Sequence, residues 1–186
     1  MHRCLNVDEI VRLIACELVA SGRKATAVRL ACCCKNLEDP VLDTLWATQF
    51  DLSNLLECFP GGVWNEGEYT PSARLIYVRF LLNGSVRKTF ERLPTAVEWA
   101  RFREYARRIR EFRGHGVAKT LSSEVYSAIQ LYTFNEPLLP NLKTLDLWGI
   151  EGSFIPFIPS FLSPRIASIS FAFGTQRRLP KSVVVH

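Results

Sequence analysis

Hydrophobic positions in the first fifty residues fall into three blocks with helical spacing. Val7, Ile10, Val11, Ile14 and Leu18 recur every three or four residues, which predicts one apolar stripe on a helix starting near Val7. Asn6 has the side chain of an N-cap, and Glu9 stands three residues on, the spacing of a capping box. Asp8 and Glu9 also suit the positive end of the helix dipole. Ser21-Gly22 interrupts the pattern, and a second block runs from Ala25 to Asn36, rich in Ala and Cys, with Val28 and Leu30 as its larger apolar members. Asp39-Pro40 then offers an N-cap and a first-turn proline for a third helix carrying Val41, Leu42, Leu45 and Trp46. A unit of this size, below about 60 residues, is marginal by itself. Part of its apolar surface is therefore expected to meet a partner.

Between residues 58 and 67 the pattern changes to turn formers and aromatic anchors, among them Phe59-Pro60-Gly61-Gly62 and Trp64, which predicts a module boundary. Leu75 to Leu82 is a short apolar run that periodicity alone leaves open between strand and helix. Thr95 to Glu98 is a second capping box, and the helix after it places Trp99, Phe102, Ala106 and Ile109 on one face with Tyr105 beside them. Its opposite face carries Arg101, Arg103, Arg107, Arg108, Arg110 and Arg113 against Glu98, Glu104 and Glu111. Such a face can attract phosphate or acidic protein, although a charged helix face is ordinarily just solvated. No nucleic-acid-binding signature accompanies the charge, so nucleic acid is the weaker reading of it.

Farther on, Leu142-x-x-Leu145-x-Leu147 and Ile166-x-x-Ile169-x-Phe171 share one frame, with equivalent positions 24 residues apart. A period of about 20 to 29 residues in this frame is that of leucine-rich repeats, whose short strands stack side by side over a common core. Arg108 to Phe112 fits a degenerate earlier strand, and Ser122 caps a helix with Val125, Ala128, Ile129 and Tyr132 on one side. Helix and strand thus alternate, which predicts a parallel sheet. The tail from Gly174 to His186 continues no repeat, and we expect the array to be short, either truncated or diverged at its end.

The chain has 186 residues, 48% of them hydrophobic, and a net charge of +5. That is enough for one sizeable core or two small domains. No apolar run reaches the roughly 18 to 20 residues that cross a bilayer, and Asp8 and Glu9 interrupt any signal-peptide order, so no membrane partner is expected. Three of the six cysteines, Cys32-Cys33-Cys34, are contiguous. Successive helical side chains diverge by about 100 degrees, so this triplet suits packing better than a metal ion, and reduced thiols are expected. There is no catalytic signature such as G-x-S-x-G, a phosphate loop or H-E-x-x-H, so we read the chain as a non-enzyme without cofactor or metal.

The N-terminal landmarks, Leu5, the stripe through Ile10, Ile14 and Leu18, Leu30, Cys34-Lys35 and Leu45-Trp46, resemble an F-box. Asn6 stands where the family usually has Pro, and Leu37 where it usually has Trp. Together with Trp99-Ala100-Arg101-Phe102, Tyr105 to Arg110, Leu138-Leu139-Pro140-Asn141-Leu142 and Leu162-Ser163-Pro164-Arg165-Ile166, the chain is similar to F-box and leucine-rich-repeat proteins expanded in mushroom-forming fungi. The resemblance implies a mixed α/β fold: a three-helix F-box over residues 1–57, a connection over 58–94 and a leucine-rich-repeat-like solenoid over 95–186. It implies that Leu5, Val7, Ile10, Ile14, Leu18, Leu30, Cys34, Lys35, Leu45 and Trp46 bind a Skp-type adaptor, and through it a cullin. The repeat domain would then hold a protein substrate, in the cytoplasm or nucleus. The alternatives are an adaptor-binding scaffold without substrate and a basic nucleic-acid-associated protein using Arg101, Arg103, Arg107, Arg108 and Arg110.

Overall fold

The computed structural model describes residues 7–67, 87–115, 123–133, 136–150 and 152–173. The expectations placed on Leu5, residues 75–82, Ser122 and the tail after residue 173 lie outside these, whereas the first helix is capped by Val7, with no side-chain cap bond, and not by the capping box expected of Asn6 and Glu9. Three helices come first: α1 (Asp8–Ala20), α2 (Lys24–Ala31) and α3 (Lys35–Trp46). α1 ends as its sequence suggests. Gly22 adopts φ +75, and the N–H groups of Gly22 and Arg23 return to the carbonyls of Val19 (3.0 Å) and Leu18 (2.7 Å), closing a Schellman motif.

The third helix departs from expectation, because it begins at Lys35 with Cys34 as N-cap and carries Pro40 inside. An early start places Leu37 and Val41, four residues apart, on the one buried face. That burial offsets the single backbone bond forfeited at Pro40. Val11, Ala15, Ala27, Ala31, Leu37 and Val41 form the small core of the three helices. Three of these six are alanines, so the helices approach closely but exclude little apolar area.

The chain then enters a four-stranded parallel sheet, order β1-β4-β5-β6, made of β1 (Thr48–Gln49), β4 (Glu111–His115), β5 (Thr144–Ile150) and β6 (Ser168–Phe173). An antiparallel pair, β2 (Trp64–Gly67) and β3 (Arg87–Phe90), stands apart. The helices α4 (Ser53–Leu56), α5 (Ala96–Ala106) and α6 (Ser123–Thr133) and a 3-10 segment (Gly152–Phe161) complete the described elements. The chain is thus a mixed α/β structure with parallel strands. β4 begins at Glu111, three residues later than the expected start at Arg108, because α5 is followed by a turn through Arg107 and Arg108.

Each strand begins in the same way. The carbonyl of Ala47 accepts the N–H groups of Arg110 and Glu111, that of Arg110 accepts Lys143 and Thr144, and that of Lys143 accepts Ala167 and Ser168, all within 2.7–3.1 Å. Register follows: Thr48, Glu111, Thr144 and Ser168 are paired neighbours in one row, and Gln49, Phe112, Leu145 and Ile169 in the next. Leu145 opposite Ile169 and Leu147 opposite Phe171 reproduce the 24-residue offset of the sequence pattern.

The larger core lies beneath this sheet. It joins Phe112, Leu142, Leu145 and Leu147 to Trp99, Phe102 and Ile109 around α5, to Val125 and Ile129 of α6, and to Phe154 and Phe161. It also takes in Leu52, Leu55, Leu56, Phe59 and Val63. The segment after α4 is therefore anchored to the sheet side of the molecule. Phe59 lies parallel to Phe102 (5.4 Å between ring centroids) and edge-on to Trp99 (5.1 Å), and Trp99 stacks on Tyr132 (4.7 Å). Such ring pairs add to the area they bury.

Candidate functional site

The apolar positions of α1 divide between two faces. Val11 and Ala15 are fully buried and Leu18 packs on the small core, whereas Val7, Ile10 and Ile14 remain 36–42% exposed. Leu13, which the sequence reading passed over, is 70% exposed. Positions 7, 10, 13 and 14 follow the three-and-four spacing of one outward face. Val28 of α2 is exposed as well. A signal for Leu13 was present, since apolar residues at 10, 11, 13 and 14 are too many for one stripe. Apolar side chains gathered on an outward face commonly mark an interaction surface.

The other expected adaptor residues sit elsewhere. Leu30, Cys34 and Leu45 are partly buried against the small core, and Lys35 is exposed at the start of α3. Trp46 lies against the larger core, its ring 4.8 Å from that of Tyr105. The repeated hydrogen-bond pattern explains why. Trp46 precedes Ala47 as Ile109 precedes Arg110 and Leu142 precedes Lys143, so it fills the first apolar position of the sheet's first rung. The structure brings Val7, Ile10 and Ile14 together on the outer face and sends Trp46 into the sheet.

The arginines divide too. Arg101, Arg103 and Arg107 are exposed, with Arg103 donating to the Tyr132 carbonyl at 2.8 Å. Arg110 is half-buried beside the first strands. Arg108 is withdrawn from solvent, at 12% side-chain exposure, and reaches Asp39 (2.6 Å) and Asp43 (2.5 Å) on α3. Burial alone would pull its guanidinium down; the hydrogen bonds it donates to Asp39 and Asp43 reverse this, and it is held above its ordinary value. Asp43 also meets Arg12 of α1 at 3.0 Å. Arg108 is therefore a tie between the helical unit and the sheet rather than part of an open basic face.

Cys16, Cys32, Cys33 and Cys58 are free thiols. Burial pushes the Cys58 thiol up to about 11, against the lowering influence of nearby Arg101. A thiol so held is a poor nucleophile at neutral pH. Among the described residues no three or more His, Cys, Asp or Glu side chains are grouped to hold a metal ion, and no helix is long and apolar enough to cross a membrane. Compared with family models, curated proteins and solved structures, the chain matches none of them.

Proposed function

We propose that this chain is a substrate-receptor subunit of a cullin-type ubiquitin ligase, binding a Skp-type adaptor through its N-terminal helices and a protein substrate through its repeat-like sheet. The reading is carried by one observation: Val7, Ile10, Leu13 and Ile14 form an outward apolar face on a small three-helix unit in whose core three of six buried residues are alanines. A unit of that kind gains by covering its outer face, and aliphatic side chains of this type act as anchors in protein interfaces. The in-register rungs of the parallel sheet support the other half of the reading, a short leucine-rich-repeat-like array. In this role the chain performs no chemistry, and ubiquitin transfer belongs to other subunits.

Co-purification with a Skp-type adaptor tests the assignment. Wild-type protein should be captured, and Leu13→Asp combined with Ile14→Asp should weaken capture at least about tenfold. Ile14 is only 37% exposed, so the single variant Leu13→Asp, at a 70% exposed position, serves as the fold control: it should weaken capture while leaving the thermal midpoint within a few degrees. Failure of the wild type to bind where an established F-box protein does, or full binding by the double variant, would reject the assignment.

A further inference from the structure

β6 is the last strand of the parallel sheet, and among the described residues no strand pairs with its outer edge. Backbone groups alternate sides along a strand, and the Ser168 N–H donates inward to β5, at the Lys143 carbonyl (3.1 Å). Ile169 and Phe171 therefore turn their N–H and C=O groups to the open side. The apolar row is incompletely covered as well. Leu145 and Leu147 of β5 are fully buried, whereas Ile169 and Phe171 opposite them pack on the same core yet stay partly exposed, and Phe173 at the strand's end is 57% exposed. Native sheets ordinarily blunt such an edge with a charged residue or a proline. Residues 168–173 contain neither.

The way each rung starts also specifies the next one. The carbonyls of Ala47, Arg110 and Lys143 each accept two consecutive N–H groups from the strand that follows, and Ala167 is the next residue in that series. Among the described residues no backbone N–H donates to its carbonyl. We infer that this edge binds an extended segment of another protein as a fifth, parallel strand, with apolar side chains in the frame that residues 142, 145 and 147 share with 166, 169 and 171. The incoming strand gives its first two N–H groups to Ala167, and its apolar side chains cover Ile166, Ile169 and Phe171. Main-chain bonds supply affinity and the apolar positions supply selectivity, as in strand addition generally. A second copy of the chain is a poorer occupant. Two six-residue β6 edges would meet along about 20 Å of strand and on the order of 10 Å of depth, roughly 200 Å² on each side, against about 800 Å² per partner in a stable interface. Nor does β1 of a second copy suit this edge, since it has two residues and the buried one is Gln49. The inference rests on the substrate half of the proposed function; its test contains no adaptor, so adaptor capture and strand addition can fail separately.

The probe is a peptide copying residues 142–148, Leu-Lys-Thr-Leu-Asp-Leu-Trp, acetylated and amidated at its ends, which carries the frame. Its binding to the full chain is measured by fluorescence anisotropy of a labelled form, and its place by amide hydrogen exchange. Saturable binding at or below millimolar concentration is expected, with exchange at the Ile169 and Phe171 amides slowed at least about fivefold. In the parallel register the peptide's Asp N–H faces β6 and that of the Leu before it faces away. An N-methyl group on the Asp should therefore weaken binding about tenfold, and one on that Leu should change it little. No saturable binding at millimolar concentration, binding that leaves the Ile169 and Phe171 amides unprotected, or equal losses from the two methyl groups would each overturn the inference.

Discussion

At the scale of single residues, the start of α5 shows how a local motif becomes a stability device. Thr95 and Glu98 form the capping box their spacing predicts: the Thr95 N–H donates to Glu98 Oε2 at 2.7 Å, and the Glu98 N–H donates to Thr95 Oγ1 at 3.4 Å. Arg92 adds two bonds to the same carboxylate, at 2.8 and 3.0 Å. The hydrogen bonds from Arg92, then those from Thr95, draw the Glu98 carboxyl from its ordinary 4.5 down to about 2. Because the folded value lies below the unfolded one, the stabilisation is complete above about pH 4.5 and fades as pH falls towards 2. Glu98→Gln should therefore lower the thermal midpoint at pH 7, and the gap between wild-type and variant midpoints should narrow as pH falls from about 4.5 towards 2 and close only below that. A gap that stays equally wide across this range would contradict this origin. The Thr-x-x-Glu half of the device was legible in the sequence, whereas Arg92 was not, since its role depends on the turn at residues 91–94 that brings it back over the helix start.

At the scale of elements, legibility tracks how faithfully each strand keeps its apolar frame. β5 and β6 are legible because Leu142, Leu145 and Leu147 recur as Ile166, Ile169 and Phe171 at constant spacing. β4 was displaced by three residues, since Gly114 stands where its neighbour has Leu147. β1 carries no such frame. Its inward position is Gln49, a buried polar side chain satisfied by the Leu45 carbonyl (3.3 Å) and by Asn54 (2.9 Å), and no hydrophobic alternation announces such a rung. Position within the sheet should also grade the cost of mutation. Leu145 is fully buried between Phe112 and Ile169, and Leu145→Ala should cost about 3 kcal/mol. Ile169, on the outer described strand and only partly buried, should cost about half as much when replaced by Ala. Urea unfolding of both variants measures the difference, and equal losses would mean that β6 is covered in solution.

At the scale of the whole molecule, the question is how a helical unit with a small alanine core is held on a larger sheet. Two contacts do this across the junction. Trp46 ends α3 and enters the sheet's first apolar position beside Tyr105, so the helical unit and the first rung share a side chain. Arg108, in the turn after α5, reaches back to Asp39 and Asp43, and Asp43 in turn holds Arg12. Sequence could not show this, because Arg108 sits among five other arginines with similar spacing and only the fold selects the one facing α3. Asp39 is 76% exposed, so its bond is screened and contributes little, whereas Asp43 is 30% exposed and faces a guanidinium withdrawn from water. Replacing Arg108 with Met keeps the apolar stem and removes its bonds to Asp39 and Asp43 together with its looser pair with Glu104 (3.8 Å). Asp43 keeps its contact with Arg12 and is not stranded, so the expected loss is about 1–2 kcal/mol rather than the 3–5 of a fully buried broken pair. The loss should also be unequal in space. Amide hydrogen exchange in Arg108→Met should quicken most in α1 to α3, whose small core depends on the tie, and least in β4 and β5, which keep the larger core intact. Arg107→Met, one position away and exposed, should change neither stability nor exchange by a measurable amount. Uniform acceleration across all elements would show instead that the helices and the sheet unfold as one unit and that Arg108 stabilises the whole chain without acting as a specific joint.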